Sequence, residues 1–555
     1  MAGPVTPARR LGPGSTLGRR EIASLLVVLV GALLLFTYGL GAGDLWEHDE
    51  PTYTQAAREM LRTRDPFTLY VNGQPWFDKP PLFMWLQALT GSLFGFTTFV
   101  ARIWSAIFGT AAVAATFLIG RLLYGQQVGL LASVMLATTM QFIVSARIAV
   151  LDPILLAFML LAFYMYLVSY QSGSRRAQVW AWVWAGVASL AKGPIGLVLP
   201  AMAVATLWTV RREWWRWRQI PAWGPVLFAV LGLSWYAIEA VRHGGEFLRI
   251  TVGQHMFGRV VGVIDNQPGP PWYYLPVLLA GGFPWAAFFA SAVVSALRQR
   301  RELAGQVLLA WAGLPLVFFS LAGTKTPAYI LPVYPFLAIG VARLWHGALD
   351  GSHEETRLLR WAFGLMCVWV AAALTVVAVV GLVRYPLEVE ALRAPLFVIA
   401  AVLAGGQLVS LLAYVMRRAR LALAAVMLTP VFAMPVLVHH TLPAVESQRT
   451  LPRIARTVHD LTRPGDHVAA LRMPEIASLI YYGERPVIEV RDAAHLDQVI
   501  CLHPRLALVT PEDDYQRWVA ARLPRGVMQE RGRDGGYRIL FKSGPTRCHG
   551  DRPLP

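Results

Sequence analysis

Residues 394–415 read APLFVIAAVLAGGQLVSLLAYV, 22 consecutive positions without a charged side chain. A bilayer core about 30 Å thick is crossed by roughly 20 apolar residues in a helix, since backbone groups in lipid must satisfy their own hydrogen bonds. The stretch therefore predicts a transmembrane helix. Outward from it, twelve more runs qualify, near 22–42, 99–120, 127–145, 153–170, 178–191, 193–210, 223–241, 272–297, 305–321, 327–345, 360–383 and 421–438. A shorter run at 82–96 follows Pro80-Pro81 and reads as an interfacial or re-entrant helix.

Composition agrees. Of 555 residues, 56% are hydrophobic and 15% charged, where soluble proteins carry about a quarter charged. The charge is uneven: residues 444–555 hold 17 of the 50 Lys/Arg and 14 of the 33 Asp/Glu. The expected fold class is an all-α polytopic membrane domain over 1–443, with extracytoplasmic loops 43–98 and 242–271, followed by a soluble α/β domain over 444–555. In that tail the patterning predicts helices over 446–462, 475–482, 492–500 and 514–523, strands at 467–471, 486–490 and 506–510, and a hairpin around Gly535-Gly536. No catalytic motif stands out there.

The net charge of +17 sits mainly in loops flanking the apolar runs, so it is not a nucleic-acid footprint. With the N-terminus inside and thirteen spans, the cytoplasmic segments hold 20 Lys/Arg and the opposite loops before the tail hold 12. The positive-inside rule thus places the tail outside the cytoplasm. The run at 22–42 follows Arg19-Arg20 and exceeds a usual signal-peptide core, which predicts an uncleaved anchor. Of three cysteines, Cys367 lies in an apolar run, while Cys501 and Cys548 share the tail, where an oxidising compartment would permit a bridge.

Charges in a membrane chain are costly and therefore informative. They gather in the non-cytoplasmic loops. Asp44-Leu45-Trp46-Glu47-His48-Asp49-Glu50 precedes an amphipathic stretch from Tyr53 to Arg64, with Ala56, Ala57, Met60 and Leu61 as its apolar stripe along the membrane. A helix start favours such carboxylates, and capping alone accounts for them equally well. Trp76-Phe77-Asp78-Lys79-Pro80-Pro81 sets an ion pair among aromatics; its lysine suits a phosphate at headgroup level or a snorkelling anchor. Asp152-Pro153 opens a span as a natural N-cap. His255 and Arg259, at i and i+4, present an imidazole and a guanidinium on one helical face. Lys325 precedes Tyr329 and Tyr334 at the start of another span. Singly each is weak; topology gathers all of them on one membrane face. There is no phosphate-binding lysine loop and no G-x-G-x-x-G following a strand, so no nucleotide is expected.

The order Trp46-Glu47-His48-Asp49-Glu50-Pro51-Thr52-Tyr53, Arg58-Glu59-Met60-Leu61, Phe77-Asp78-Lys79-Pro80, Val150-Leu151-Asp152-Pro153, Lys192-Gly193, His255 with Arg259, Pro271-Trp272-Tyr273-Tyr274 and Lys325 with Tyr329-Ile330-Leu331-Pro332 resembles the lipid A aminoarabinose transferases of the ArnT type. These are GT-C glycosyltransferases using polyprenyl-phosphate sugars. The resemblance spans about residues 20–345 and is less specific for the sugar than for the superfamily. It implies transfer of a sugar such as 4-amino-4-deoxy-L-arabinose from undecaprenyl phosphate to a lipid A phosphate, at the periplasmic face of the bacterial inner membrane. Asp49 would be the principal catalytic carboxylate, with Glu50 beside it and Asp152 as a second acid. Lys79, Arg259, Tyr334 and Lys325 would hold the donor phosphate. The family's acid before that lysine is usually Glu, paired with the loop histidine around a divalent ion such as zinc; here it is Asp78, one methylene shorter, with His255. Two such groups fall short of the four ligands of a tight zinc site. The related protein O-mannosyltransferases supply the alternative, a protein or other envelope-glycan acceptor. A lipid-linked-sugar flippase would carry charges mid-span, whereas these lie at span ends.

Overall fold

The computed structural model describes residues 17–264, 267–382, 387–473, 475–520 and 527–545. The chain divides into two compact units: one of residues up to Gly41 with Phe77–Leu86 and Arg102–Thr441, the other of Ala42–Trp76, Gln87–Ala101 and the segment from Leu442 onward. Residues 42–76 and 87–101 thus group with the C-terminal segment, and 77–86 with the helical unit.

The first unit is helical. Among the described residues, seven helices are long and apolar enough to cross a membrane, and up to ten if each bent pair is one span. Among the described residues, each of the thirteen apolar runs lies mostly on helix, as in Arg19–Thr37, Thr98–Tyr124, Asp152–Ser172, Leu303–Leu321 and Pro327–Leu349. Three runs that read as continuous are broken. Gln126–Ala137 and Met140–Arg147 meet at 65°, Trp223–Gly232 and Ser234–Gly258 at 55°, and Tyr274–Gly281 and Ala286–Arg298 at 109°. At the first break the Thr138 and Thr139 hydroxyls donate to the carbonyls of Val134 and Met135, both at 2.7 Å, side-chain bonds back to the preceding turn that accompany a bend. At the sharpest break Pro284 supplies no N–H to continue a helix. The short run forms the helix Leu82–Phe94, too short to span.

The second unit holds the helix Asp49–Thr63, the ribbon β1 (Tyr70–Val71) and β2 (Gln74–Pro75), and five strands: β3 (His467–Leu471), β4 (Val487–Val490), β5 (Arg505–Pro511), β6 (Gln529–Asp534) and β7 (Tyr537–Ser543). The sheet order is β4-β3-β5-β7-β6, with β3 parallel to β4 and β5, and β7 antiparallel to β5 and β6. Alternation along the strands feeds two cores. Val468, Ala470, Ala507, Val509 and Ile539 pack with Ile454, Val458, Leu479 and Ile480, whereas Ala469, Leu471, Leu506, Leu508 and Leu540 pack with Leu496, Val499 and Ile500. Helices Leu451–Leu461 and Ala477–Gly483 supply one layer and Ala493–Leu502 the other. Gly535 and Gly536, with φ of 49° and 81°, form the tight β6–β7 turn that needs two residues of positive φ. Cys501 is in a disulfide and Cys367 is free; Cys548 lies outside the described residues.

The acidic helix starts at Asp49, four residues earlier than its apolar stripe suggests. Ala56, Ala57 and Met60 are buried within this unit and the helix packs on Ala477–Gly483, so the stripe meets protein. Leu61 departs from the expectation: the last turn protrudes and leaves it exposed.

Candidate active site

In the first unit, the segment before Leu82–Phe94 is anchored by Phe77. Its ring lies 5.3 Å from Phe247 and 5.0 Å from His243, in one buried cluster with Trp235. Its carbonyl accepts a 2.8 Å hydrogen bond from the Thr251 hydroxyl. This fixes the next two residues against the stretch Leu248–Val261.

There Asp78 Oδ1 lies 2.7 Å from Lys79 Nζ, 2.7 Å from His255 Nδ1 and 3.6 Å from Arg259 Nη2. Arg259 Nη1 reaches the Tyr329 hydroxyl at 3.3 Å. Leu248–Gly258 is wound as a π-helix, wider than the α-turn expected from the spacing, and still brings His255 Nδ1 within 3.5 Å of Arg259 Nη2. The stretch after it is tied down: Thr324 N–H donates to the Arg259 carbonyl at 3.1 Å, and Lys325 N–H to the Gln267 carbonyl at 3.0 Å. Only glycine fits at position 323, because an added Cβ would lie 2.3 Å from the Gly262 carbonyl oxygen.

Burial works to raise the Asp78 carboxyl, but Lys79, the His255 hydrogen bond and Arg259 outweigh it and hold the group far below the usual carboxylate range. Within the cluster one carboxylate thus faces two fixed cations, Lys79 and Arg259. A guanidinium beside an ammonium suits phosphate oxygens.

Asp152 begins Asp152–Ser172 and Lys192 ends Arg175–Lys192, each charge at the helix terminus that favours it. They pair at 2.6 Å, both largely buried. Tyr236 links these surroundings to the cluster: its hydroxyl is 3.1 Å from where a Cβ on Gly193 would sit, and it lies within electrostatic reach of Asp78. Sequence reasoning passed over Tyr236 because it lies within an apolar run.

Two expected phosphate ligands take other roles. Lys325 is buried, and its Nζ donates to the carbonyls of Phe319 (3.0 Å), Ser320 (2.7 Å) and Ala322, capping the end of Leu303–Leu321. Its three donors are consumed by backbone. Tyr334 is likewise buried, its hydroxyl donating to the Val277 carbonyl at 3.3 Å. Tyr329, five residues earlier, is the tyrosine that joins Arg259.

Asp78 and His255 do meet, as the metal expectation required, but as a direct hydrogen bond on the oxygen that also holds Lys79. Among the described residues no group of three or more His, Cys, Asp or Glu forms a ligand set. Asp78 and His255 together would supply two of the four donors of a tight zinc site.

In the second unit, Asp49 is exposed at the first position of its helix, with no side-chain hydrogen bond or ion pair to another described residue. Glu50 is buried, and its Oε2 accepts the Trp46 N–H at 2.6 Å, closing the turn before the helix. Glu50 therefore shapes the acidic turn, leaving Asp49 as the outward carboxylate.

Comparison with known proteins gives this geometry a family. A family model for dolichyl-phosphate-mannose-protein mannosyltransferase matches residues 22–243. The undecaprenyl phosphate-alpha-4-amino-4-deoxy-L-arabinose arabinosyl transferase of Erwinia tasmaniensis is 32% identical over 356 residues, which cover 62% of this chain and 63% of that protein. The namesake from Edwardsiella ictaluri is 30% identical over 380 residues, 66% of this chain and 68% of that protein. The chain thus spans slightly under two thirds of the Erwinia relative's length. Crystalline ArnT from Cupriavidus metallidurans, bound to undecaprenyl phosphate, shares the fold: TM-score 0.78 at 23% identity, covering 94% of this chain and 99% of the other. On the Edwardsiella match, the chain is a member of the undecaprenyl phosphate-4-amino-4-deoxy-L-arabinose arabinosyl transferase family and a multi-pass membrane protein.

Proposed function

We propose that this protein is an inner-membrane glycosyltransferase that moves 4-amino-4-deoxy-L-arabinose from undecaprenyl phosphate to a lipid A phosphate at the periplasmic face. The observation that carries the reading is the Asp78 cluster, which gathers the Lys79 ammonium, the His255 imidazole and the Arg259 guanidinium around one carboxylate oxygen. The relatives' printed names supply the donor, and the arginine asymmetry of the loops supports a cytoplasmic N-terminus, thirteen spans and a periplasmic tail.

The charge balance of the reaction explains the cluster. The anomeric carbon's bond to the donor phosphate breaks, and a bond to an acceptor phosphate oxygen forms. A donor diester of charge about −1 becomes a monoester approaching −2, while the acceptor makes the opposite change. No proton need move, and the developing charge on the leaving phosphate is what Lys79 and Arg259 stabilise. Asp78 and His255 hold these two cations in place, and Tyr329 steadies Arg259. Asp49 orients the acceptor or pairs with the sugar's ammonium. Asp152 neutralises Lys192. No step requires a metal.

The family-model match keeps a protein hydroxyl in view as the alternative acceptor, for which Asp49 would act as a general base. Vesicles supplied with sugar-labelled donor, lipid A and membrane protein separate the two. Label in lipid A supports the proposal; label in protein overturns it.

A further inference from the structure

In the second unit, the backbone leading to Asp49 is held from the far end of the chain. Arg449 Nη1 and Nη2 donate to the carbonyls of Asp44 (3.2 Å) and Leu45 (2.5 Å), and the guanidinium lies 5.0 Å from the Trp46 ring centroid. Glu446 orients that guanidinium by accepting from Nη1 on both carboxylate oxygens, at 3.0 and 3.1 Å. Leu45 N–H donates to the Tyr482 hydroxyl at 2.7 Å, and Arg456 pairs with Asp44. The Glu47 carboxylate accepts the Ser478 N–H at 2.7 Å and also the Ser478 hydroxyl. Further along, Arg58 donates to the Tyr481 carbonyl at 2.9 Å, and Asn72 exchanges two hydrogen bonds with the backbone of Val487, at 2.7 and 2.8 Å.

Each residue from Asp44 to Glu47 is thus fixed by the C-terminal segment, while Asp49, two positions on, has no such tie and is exposed. Both Glu47 carboxylate oxygens are taken up by Ser478, so Glu47 serves as an anchor.

We propose that Arg449 and Ser478 are positioning residues for Asp49, so that the C-terminal segment sets the turnover of a carboxylate 400 or more residues away in sequence. This rests on the reading of Asp49 given above. A carboxylate displaced by about 1 Å costs up to roughly a hundredfold in rate, and the loss falls on the chemical step.

The test uses the full-length protein in lipid nanodiscs, with the undecaprenyl-phosphate aminoarabinose donor and lipid A. Arg449→Met keeps the stem against Trp46 and removes the donors; Ser478→Ala removes one of the two bonds to Glu47. Expected is a fall in kcat of about 10- to 100-fold for Arg449→Met and roughly threefold for Ser478→Ala. The donor KM should stay within about twofold, and Arg449→Lys and Ser478→Thr should restore most of the loss. Unchanged kcat per folded molecule overturns the proposal, as does a loss matched by a lower unfolding temperature with specific activity intact. An Asp49→Asn arm separates the two failures: if it alone abolishes turnover, only the positioning role falls; if it too is silent, the reading of Asp49 falls.

Discussion

Lys79 bears the heaviest part of the proposed chemistry, and replacing it by methionine tests that part with little collateral damage. The side chain is 10% exposed and its Nζ sits 2.7 Å from Asp78 Oδ1. Methionine keeps the unbranched stem. It also leaves Asp78 compensated, because His255 Nδ1 remains at 2.7 Å and Arg259 Nη2 at 3.6 Å. Two unit charges about 4 Å apart interact by about 4 kcal/mol at an effective dielectric of 20. Arg259 stays to carry part of the load, so the transition state should lose about 2–4 kcal/mol, or roughly 30- to 1,000-fold in rate. The loss should fall mainly on kcat, since the donor diester carries less charge than the departing monoester. The assay is steady-state transfer in nanodiscs, normalised to folded protein. A change below about threefold, or a rise in donor KM with kcat intact, would refute a leaving-group role for Lys79.

Tyr329→Phe should lower kcat/KM by roughly two- to tenfold through the lost contact with Arg259, whereas Tyr334→Phe should change it less than about twofold; the same transfer assay reads both. Lys325→Met should leave specific activity unchanged but lower the unfolding temperature, because three helix-end carbonyls lose their donor at a cost of about 1–3 kcal/mol. Asp78→Asn strips the buried cations of their counter-charge and should cost about 3 kcal/mol of stability. Because the folded Asp78 carboxyl is held low, its contribution is complete above the unfolded value near 3.9 and is lost only as pH falls through the folded one. The unfolding-temperature gap between wild type and Asp78→Asn should therefore persist at every pH above about 5, and a gap that vanishes there would contradict the assignment.

The residues that sequence reading located best are close in the chain. Asp78 and Lys79 are adjacent, and His255 and Arg259 one helical turn apart, so spacing alone paired them. The apolar runs were legible for the same reason, as were the tail's strands, whose alternation is local. What was not legible depends on distant partners. Asp152 read as a plain N-cap because Lys192 lies 40 residues on. Lys325 and Tyr329 carry similar local signals, and only the packing shows that the lysine caps a helix end while the tyrosine meets Arg259. The breaks at Thr138 and Pro284 sit inside runs that stay free of charged residues. The hold of Arg449 and Ser478 on the acidic turn had no sequence signal at all.

The central claim is transfer of an aminopentose to lipid A, dependent on Asp49. Mass spectrometry of lipid A tests it most directly, in a host that makes the aminoarabinose carrier but lacks its own transferase, expressing either this chain or its Asp49→Ala variant. The account predicts a pentosamine adduct with the wild type and none with the variant. Unmodified lipid A with both, from folded membrane protein, would contradict it.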